Sequence, residues 1–501
     1  MATSHTNGAR GPAPRRRDHD LVRTNGPHRG YRYCSDEEGP WSQKSVLSFD
    51  GGGIRGYSSL LILKSIMIAI RRIETSYPEH PVSSRTSTGG LSSIMLGRLR
   101  MSVDEALEQY EDFGNEVFGK ARWWHERSLF WYPRAKYSSR KTREAFQKVV
   151  LKSLQQGEHS AVTESFEDRE DRTRTMVISW NIKKQSVKGC YIWRSYRFKL
   201  KDNPKAETRR SNNWIPCNPR DFFVPIWQVA RATTAAPRYF ESIKIDDRKF
   251  LDGGMVANNP SLVALREIRG LHKTIPSIFV SLGTGLKQAD NKNEAARNYA
   301  SEDVRPALRR ALTIDNVRRK QGLKKYSEIG RYWTKYMTDC EGHDGTNGWN
   351  GLSDEIGLRK RYRLNVEGSL AGISLDEWRP AKSGEDTLRL IRRQTEEYLS
   401  QPAIIDKIEE IAREVVEIRR DRAMTERWES FAMDVIYFCP ICESRAADAN
   451  RHALREHLED SSQHVGPDGT QMAPEEVEAR LNEGRCKRDA SSRTGSDNAS
   501  M

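Results

Sequence analysis

The stretch Asp50-Gly51-Gly52-Gly53-Ile54-Arg55-Gly56 constrains this chain more than any other. It stands between a short apolar run, Val46-Leu47-Ser48-Phe49, and a stretch in which Leu60, Leu63, Met67 and Ile70 recur at helical spacing. Those patterns dictate a strand, a tight turn and a helix. Glycines in such a turn admit dihedrals closed to other residues and let main-chain N–H groups approach a ligand at a helix N-terminus. The turn is therefore an anion cradle, unless it is merely a structural bend. Gly51, Gly53 and Gly56 satisfy G-x-G-x-x-G, but that pattern is weak by itself. The Lys-Ser/Thr pair of a nucleotide-phosphate loop is missing, and the helix runs on to Glu74 where a second strand ending in an acidic residue would be needed. An oxyanion hole fits better, because the same N–H groups then meet the charge that develops on a carbonyl oxygen during acyl transfer.

The theme recurs downstream. Met176–Trp180 is an apolar run, Trp227–Thr234 reads as a helix, and Ser277–Leu282 reads as a buried strand ending in Gly283-Thr284-Gly285. Alternation of this sort argues an α/β fold. Beyond Ser383 the composition is helical and charged, with Ile404, Ile408, Ile411, Val415 and Ile418 at three-and-four spacing after Pro402. A chain of 501 residues exceeds one compact core. The expected organisation is a leader without regular structure over 1–40, a main domain over 44–375, a helical extension over 376–430, a small module over 435–466 and a disordered tail over 467–501.

Acyl transfer requires a nucleophile, and the candidate is Ser87 in Arg85-Thr86-Ser87-Thr88-Gly89-Gly90. A nucleophile elbow has small residues two positions to either side of its serine. Gly89 meets that on one side, and Leu91, Ile94, Met95 and Leu99 then form an apolar helical stripe. On the other side Arg85 stands where glycine is expected, after a stretch with two prolines, Pro78 and Pro81, that makes a poor buried strand. The serine also needs a base. Phe250-Leu251-Asp252-Gly253-Gly254 ends an apolar segment in a carboxylate and is followed by Asn258-Asn259-Pro260. None of the eleven histidines has a matching context, so Asp252 would act directly. A carboxylate is a weak base at its usual pKa of ~3.9, so it needs a water-poor site. Alone, Ser87 reads as a turn serine and Asp-Gly-Gly as a hairpin turn; their weight comes from company.

Together, and in this order, these residues resemble the patatin-like phospholipase family, in its fungal form with a C-terminal zinc-finger-like segment. The resemblance rests on Asp50–Gly56, Thr86–Gly90, Leu96–Glu105, Ala230–Phe240 and Asp252–Gly254, within residues 45–375. It implies a three-layer α/β/α fold and hydrolysis of phospholipids or other acyl lipids by a Ser/Asp dyad, here Ser87 and Asp252. It also implies an oxyanion hole from Gly51, Gly52, Gly53, Arg55 and Gly56, supported by Asp50, Gly89, Gly253 and Gly254, with no cofactor for catalysis. The rival reading is a catalytically impaired binding protein, or a chain whose gene model has lost an exon. The family's strand into G-x-S-x-G is missing here, and Arg85 marks the seam.

A separate signal is Cys439-Pro440-Ile441-Cys442, followed by His452, His457 and His464. A tetrahedral zinc site takes two thiolates from a knuckle and two imidazoles from a helix, and Leu454 fits an apolar core position of that helix. The 14 residues between Cys442 and His457 and the 6 between His457 and His464 exceed the usual finger spacing of about 12 and about 3–5. His452 is thus an alternative to His464 as fourth ligand, and an unmetallated helical tail is the alternative to zinc.

Lys and Arg outnumber Asp and Glu by 83 to 69, a formal +14. Solubility alone accounts for such a balance, but it also favours anionic partners, and membrane phosphates qualify as readily as nucleic acid. A single finger offers too little contact for specific nucleic-acid binding, so nucleic acid ranks last. The expected partners are a phospholipid or other acyl-lipid substrate and a peripheral membrane surface. No run reaches the ~18–20 apolar residues of a membrane span, and the first thirty residues lack an apolar signal core. The expectation is an intracellular protein, cytoplasmic or peripheral to a membrane, with reduced thiols.

Overall fold

The computed structural model describes residues 19–23, 31–35, 39–76, 90–121, 135–154, 158–168, 173–181, 190–196, 221, 223–237, 239–272, 274–286, 353–354, 356–425, 427–433, 435–442, 451–460, 464 and 471–487. The chain divides into two compact units, Lys44–Arg419 on the one hand and Met1–Gln43 with Arg420–Arg488 on the other. In chain order the strands are β1 (His19–Arg23), β2 (Tyr31–Ser35), β3 (Ser45–Phe49), β4 (Met176–Asn181), β5 (Cys190–Arg194) and β6 (Ile243–Ile245). They continue as β7 (Arg248–Asp252), β8 (Ile278–Leu282), β9 (Arg361–Leu364), β10 (Val435–Tyr437) and β11 (Arg485–Lys487).

The larger unit is α/β. A parallel sheet of order β3-β8-β9 lies at its centre, and every residue of β8 is buried. That is what a continuous apolar run predicts for a strand covered on both faces. The turn after β3 enters the helix Gly56–Thr75, whose Leu60, Ile62, Leu63, Ile66 and Ile70 are buried in the main core. A second sheet, β5-β4-β7-β6, is antiparallel. It departs from simple strand–helix alternation because its edges are local hairpins, β4 with β5 and β6 with β7. The β6–β7 hairpin closes through Asp246-Asp247, with Ile245 opposite Arg248 and Asp246 at φ 52°. Asp and Asn tolerate this left-handed conformation better than most residues do.

The helices Glu385–Leu399 and Pro402–Ala423 place Ile391, Ile404, Ile408 and Ile411 in the same core as Leu60 and Ile66. The Ser58 and Thr395 hydroxyls meet at 2.7 Å, and Arg419 donates to the buried Glu74 carboxylate at 2.8 Å. Up to Arg419 the helical extension is thus part of the larger unit. Among the described residues one helical stretch, Gly53–Thr75, is long and apolar enough to cross a membrane, and most of it is buried in the protein. Lys64 and Ser65 interrupt its apolar run.

Two expectations about the ends are corrected in the smaller unit. Residues 1–40 were expected to lack regular structure, yet β1 and β2 pair antiparallel from His19 opposite Ser35 to Arg23 opposite Tyr31. Residues 467–501 were expected to be disordered, yet they supply the helix Pro474–Glu483 and β11, which pairs with β10. Pro474 and the acidic Glu475 and Glu476 suit a helix N-terminus. Val477 and Leu481, one turn apart, bury with Val435, Tyr437, Leu454 and Leu458. A two-residue stripe in a polar stretch is too thin for composition to register. Trp41 also anchors this unit, donating to the Thr425 hydroxyl at 2.9 Å and meeting Phe431 edge-on at 5.1 Å.

Candidate active site

The glycine turn leaves β3 held on several sides. The Asp50 N–H donates to the Leu282 carbonyl at 2.9 Å. Its carboxylate, wholly buried, accepts from both terminal nitrogens of Arg363 on β9 at 3.0 and 2.5 Å, and Arg363 also reaches the Ser281 hydroxyl at 2.8 Å. The Gly51 N–H donates to the Asn258 carbonyl at 2.9 Å, and the Thr284 hydroxyl donates to the Gly51 carbonyl at 2.8 Å. Farther on, the N–H groups of Ile54 and Arg55 are taken by the carbonyls of Leu375 and Gly52, and that of Gly56 turns back on Gly53 and Ile54.

What remains is informative. Among the described residues the N–H groups of Gly52 and Gly53 meet no acceptor, and Gly53 is exposed while Gly52 is half-buried. Two adjacent, accessible donors are what an oxyanion hole requires. Glycine is needed at both places. A Cβ on Gly52 would lie 2.3 Å from the Thr284 hydroxyl oxygen, and one on Gly53, at φ 57°, would lie 2.0 Å from the Leu375 carbonyl oxygen. The Arg55 side chain is buried and donates to the Ala371 carbonyl at 3.2 Å; it clamps the turn from below.

Asp252 is the last residue of β7, opposite Ser179 of β4. Its N–H donates to the Ala235 carbonyl at 3.1 Å, and that of Gly253 to the Thr233 carbonyl at 3.2 Å. The stretch Ala230–Phe240 therefore braces the Asp-Gly-Gly turn. Glycine at 253 is enforced by the Ile178 carbonyl oxygen, which would sit 2.2 Å from a Cβ. One Asp252 oxygen accepts the Gly254 N–H at 2.7 Å. Although Asp252 keeps a partial opening to solvent, burial pushes its carboxyl up to about 7, against the opposing pull of the Gly254 N–H. The chain then turns through Gly254–Ala257 to Asn258, whose carbonyl is the acceptor for Gly51. Two motifs far apart in sequence thus meet through one backbone hydrogen bond.

Ser87 and Gly89, with Arg85, lie outside the described residues. The structure resumes at Gly90 with a helical turn, Gly90–Ser92, that continues as a π-helix over Ser93–Arg98. Ile94, Met95 and Leu99 of the expected apolar stripe are buried, and Leu91 packs beside them. Arg98 fixes this segment by donating to Glu164 and to the carbonyl of Ser165 at 2.9 Å. Sequence reasoning noted Thr284 and Asn258 inside their motifs without a role, and it had no signal at all for Arg363.

Residues 47–265 match the family model described as patatin-like phospholipase. Through this stretch the chain belongs to the patatin-like phospholipase family. Calcium-independent phospholipase A2-gamma of Oryctolagus cuniculus is 26% identical over 284 residues, covering 54% of this chain and 32% of the relative. Phospholipase A I of Arabidopsis thaliana is 25% identical over 276 residues, covering 48% of this chain and 20% of the relative. Patatin-like protein 4 of Arabidopsis thaliana is 24% identical over 234 residues, covering 44% and 51%. The chain spans about a third or less of the first two relatives' length. The matched stretch takes in the glycine turn, the π-helix and the Asp252 turn, but ends before Thr284 and Arg363.

In the smaller unit Cys439, Cys442, His457 and His464 bring one donor atom each to within 4.8 Å of one another. His452 lies on the helix Arg451–Asp460, and its side chain is outside the described residues.

Proposed function

We propose that this chain hydrolyses fatty-acyl esters of phospholipids or related lipids through Ser87 and Asp252. The observation that carries the reading is Asp252. Its carboxyl, raised to about 7, belongs to the segment whose Asn258 carbonyl holds the glycine turn, where the Gly52 and Gly53 N–H groups meet no acceptor among the described residues. A base titrating near the working pH combines the right protonation state with real basicity. In this mechanism the Ser87 hydroxyl attacks the ester carbonyl and its proton passes to Asp252. The Gly52 and Gly53 N–H groups receive the oxyanion. Collapse expels the alcohol, which leaves with the proton from Asp252, and water then cleaves the acyl-serine by the same route. No step passes through a metal, in keeping with relatives named as calcium-independent phospholipases. Relatives bearing phospholipase names also give the impaired-binding-protein reading no support.

The formal charge of +14 supports adsorption to anionic membrane surfaces, where each nearby basic residue contributes ~1 kcal/mol and salt screens the attraction. The test is fluorophosphonate labelling together with hydrolysis of an acyl ester in anionic and neutral vesicles. The parent chain should label, Ser87→Ala should not, and Asp252→Asn should slow turnover by about 100- to 10,000-fold. Labelling that survives Ser87→Ala removes Ser87 from the mechanism. Equal binding to both vesicle types at low salt removes the membrane half of the proposal.

A further inference from the structure

The smaller unit holds a second cluster of chemically active side chains that lipid hydrolysis does not use. The turn after β10 presents Cys439 and Cys442, the helix Arg451–Asp460 presents His457, and His464 follows it. The contacts converge on one point: Cys442 Sγ lies 3.2 Å from His457 Nε2, Cys439 Sγ lies 3.5 Å from His464 Nε2, and the two Nε2 atoms lie 3.0 Å apart. A tetrahedron with Zn–S of about 2.3 Å and Zn–N of about 2.0–2.1 Å sets N···N near about 3.3 Å and S···N near about 3.6 Å. These three separations match it to within a few tenths of an ångström, and all four donor atoms lie within 4.8 Å of one another. Hydrogen bonding alone explains the convergence poorly, since each Nε2 faces both a sulfur and the other ring nitrogen and can make only one good bond along its lone-pair or N–H direction.

We infer that Cys439, Cys442, His457 and His464 bind one structural zinc ion, and that the module 435–487 folds around it. Two thiolates and two imidazoles form a closed set with no open position, which marks a structural rather than a catalytic site, and the mixed sulfur and nitrogen donors select zinc over calcium or magnesium. The need for metal follows from the core. Val435, Tyr437, Cys439, Leu454, Leu458, Val477 and Leu481 are its buried members, too few for a segment of this length to hold its fold unaided. The ion joins the knuckle to the helix Arg451–Asp460, and the helix Pro474–Glu483 with β11 closes over the other side. The module therefore extends beyond a single finger, to about the end of β11.

The experiment uses the full chain, purified with and without added zinc and dialysed, with metal content measured against protein concentration. One zinc per chain is expected, lost in Cys442→Ser and in His464→Ala but retained in His452→Ala. Cobalt titrated into the metal-free chain should give the visible bands of tetrahedral thiolate coordination. That reading does not depend on a variant that folds poorly. Absence of stoichiometric zinc together with absence of those cobalt bands overturns the inference. Zinc kept by His464→Ala but lost by His452→Ala overturns the ligand assignment.

Discussion

Asp252→Asn should inactivate the chain and at the same time stabilise it, in a way that depends on pH. In the folded chain the carboxyl sits near 7, against an ordinary value of 3.8, because burial disfavours its charged form. Between those two values the folded state holds a proton that the unfolded state has released, so stability falls as the pH climbs from about 4 through about 7 and levels off above. At full ionisation the cost is about 4 kcal/mol, and somewhat more than half of it accrues between pH 5 and pH 8. Asparagine has no charge to bury, and its amide oxygen can keep the Gly254 N–H bond. Denaturant unfolding of parent and variant at pH 5 and pH 8 tests this. The variant's advantage should grow by about 2–3 kcal/mol at the higher pH. An advantage that is the same at both, or that shrinks, would refute a buried, strongly raised carboxyl at 252.

The same group predicts the activity profile: kcat/KM should rise tenfold per pH step below the folded value and level off above about 7, whereas a midpoint near 4 would mean that an ordinary solvated carboxylate is the base. Gly53→Ala should cost about 100-fold or more in turnover, since its Cβ would collide with the Leu375 carbonyl at a φ of 57°; near-parent rates would take the Gly53 N–H out of the oxyanion hole. Arg363→Met should destabilise the chain by about 3–5 kcal/mol by removing the two-pronged guanidinium contact from the buried Asp50 carboxylate, and Asp50→Asn added to it should recover part of the loss in a denaturation series. No recovery would show that Arg363 acts by packing rather than by charge.

The elements that proved legible are those whose residues repeat at a fixed period. β3, β4, β8 and the helices Gly56–Thr75 and Pro402–Ala423 each carry an apolar run or stripe that lies largely in the core, with Val46, Leu47, Met67 and Val415 half-buried at its edge. The glycine turn and the Asp252 turn were legible as motifs because glycine at 53 and 253 is enforced by close carbonyls. What joins them was not. The Gly51 to Asn258 hydrogen bond and the Arg363 to Asp50 pair connect residues through space by generic backbone and charge chemistry, which leaves no local pattern. The hairpin at the start and the helix Pro474–Glu483 were hidden for a different reason: polar composition masked short alternations such as Tyr31 and Tyr33, and the lone pair Val477 and Leu481.

The two-residue Asp246-Asp247 hairpin fixes more than a turn. Side chains along a strand alternate between faces, so Arg248, Phe250 and Asp252 share one face and Lys249 and Leu251 the other. The proposed base, Asp252, is therefore placed by counting from the hairpin and by the pairing of β7 with β4. An inserted residue in that turn that slipped β7 by one position against β4 would carry Asp252 to the opposite face without changing any residue of the site. Drift in this family member should accordingly be free in identity at the exposed Lys244 and Lys249 and closed in length at the tip. A survey of viable variants would recover substitutions there but no insertions.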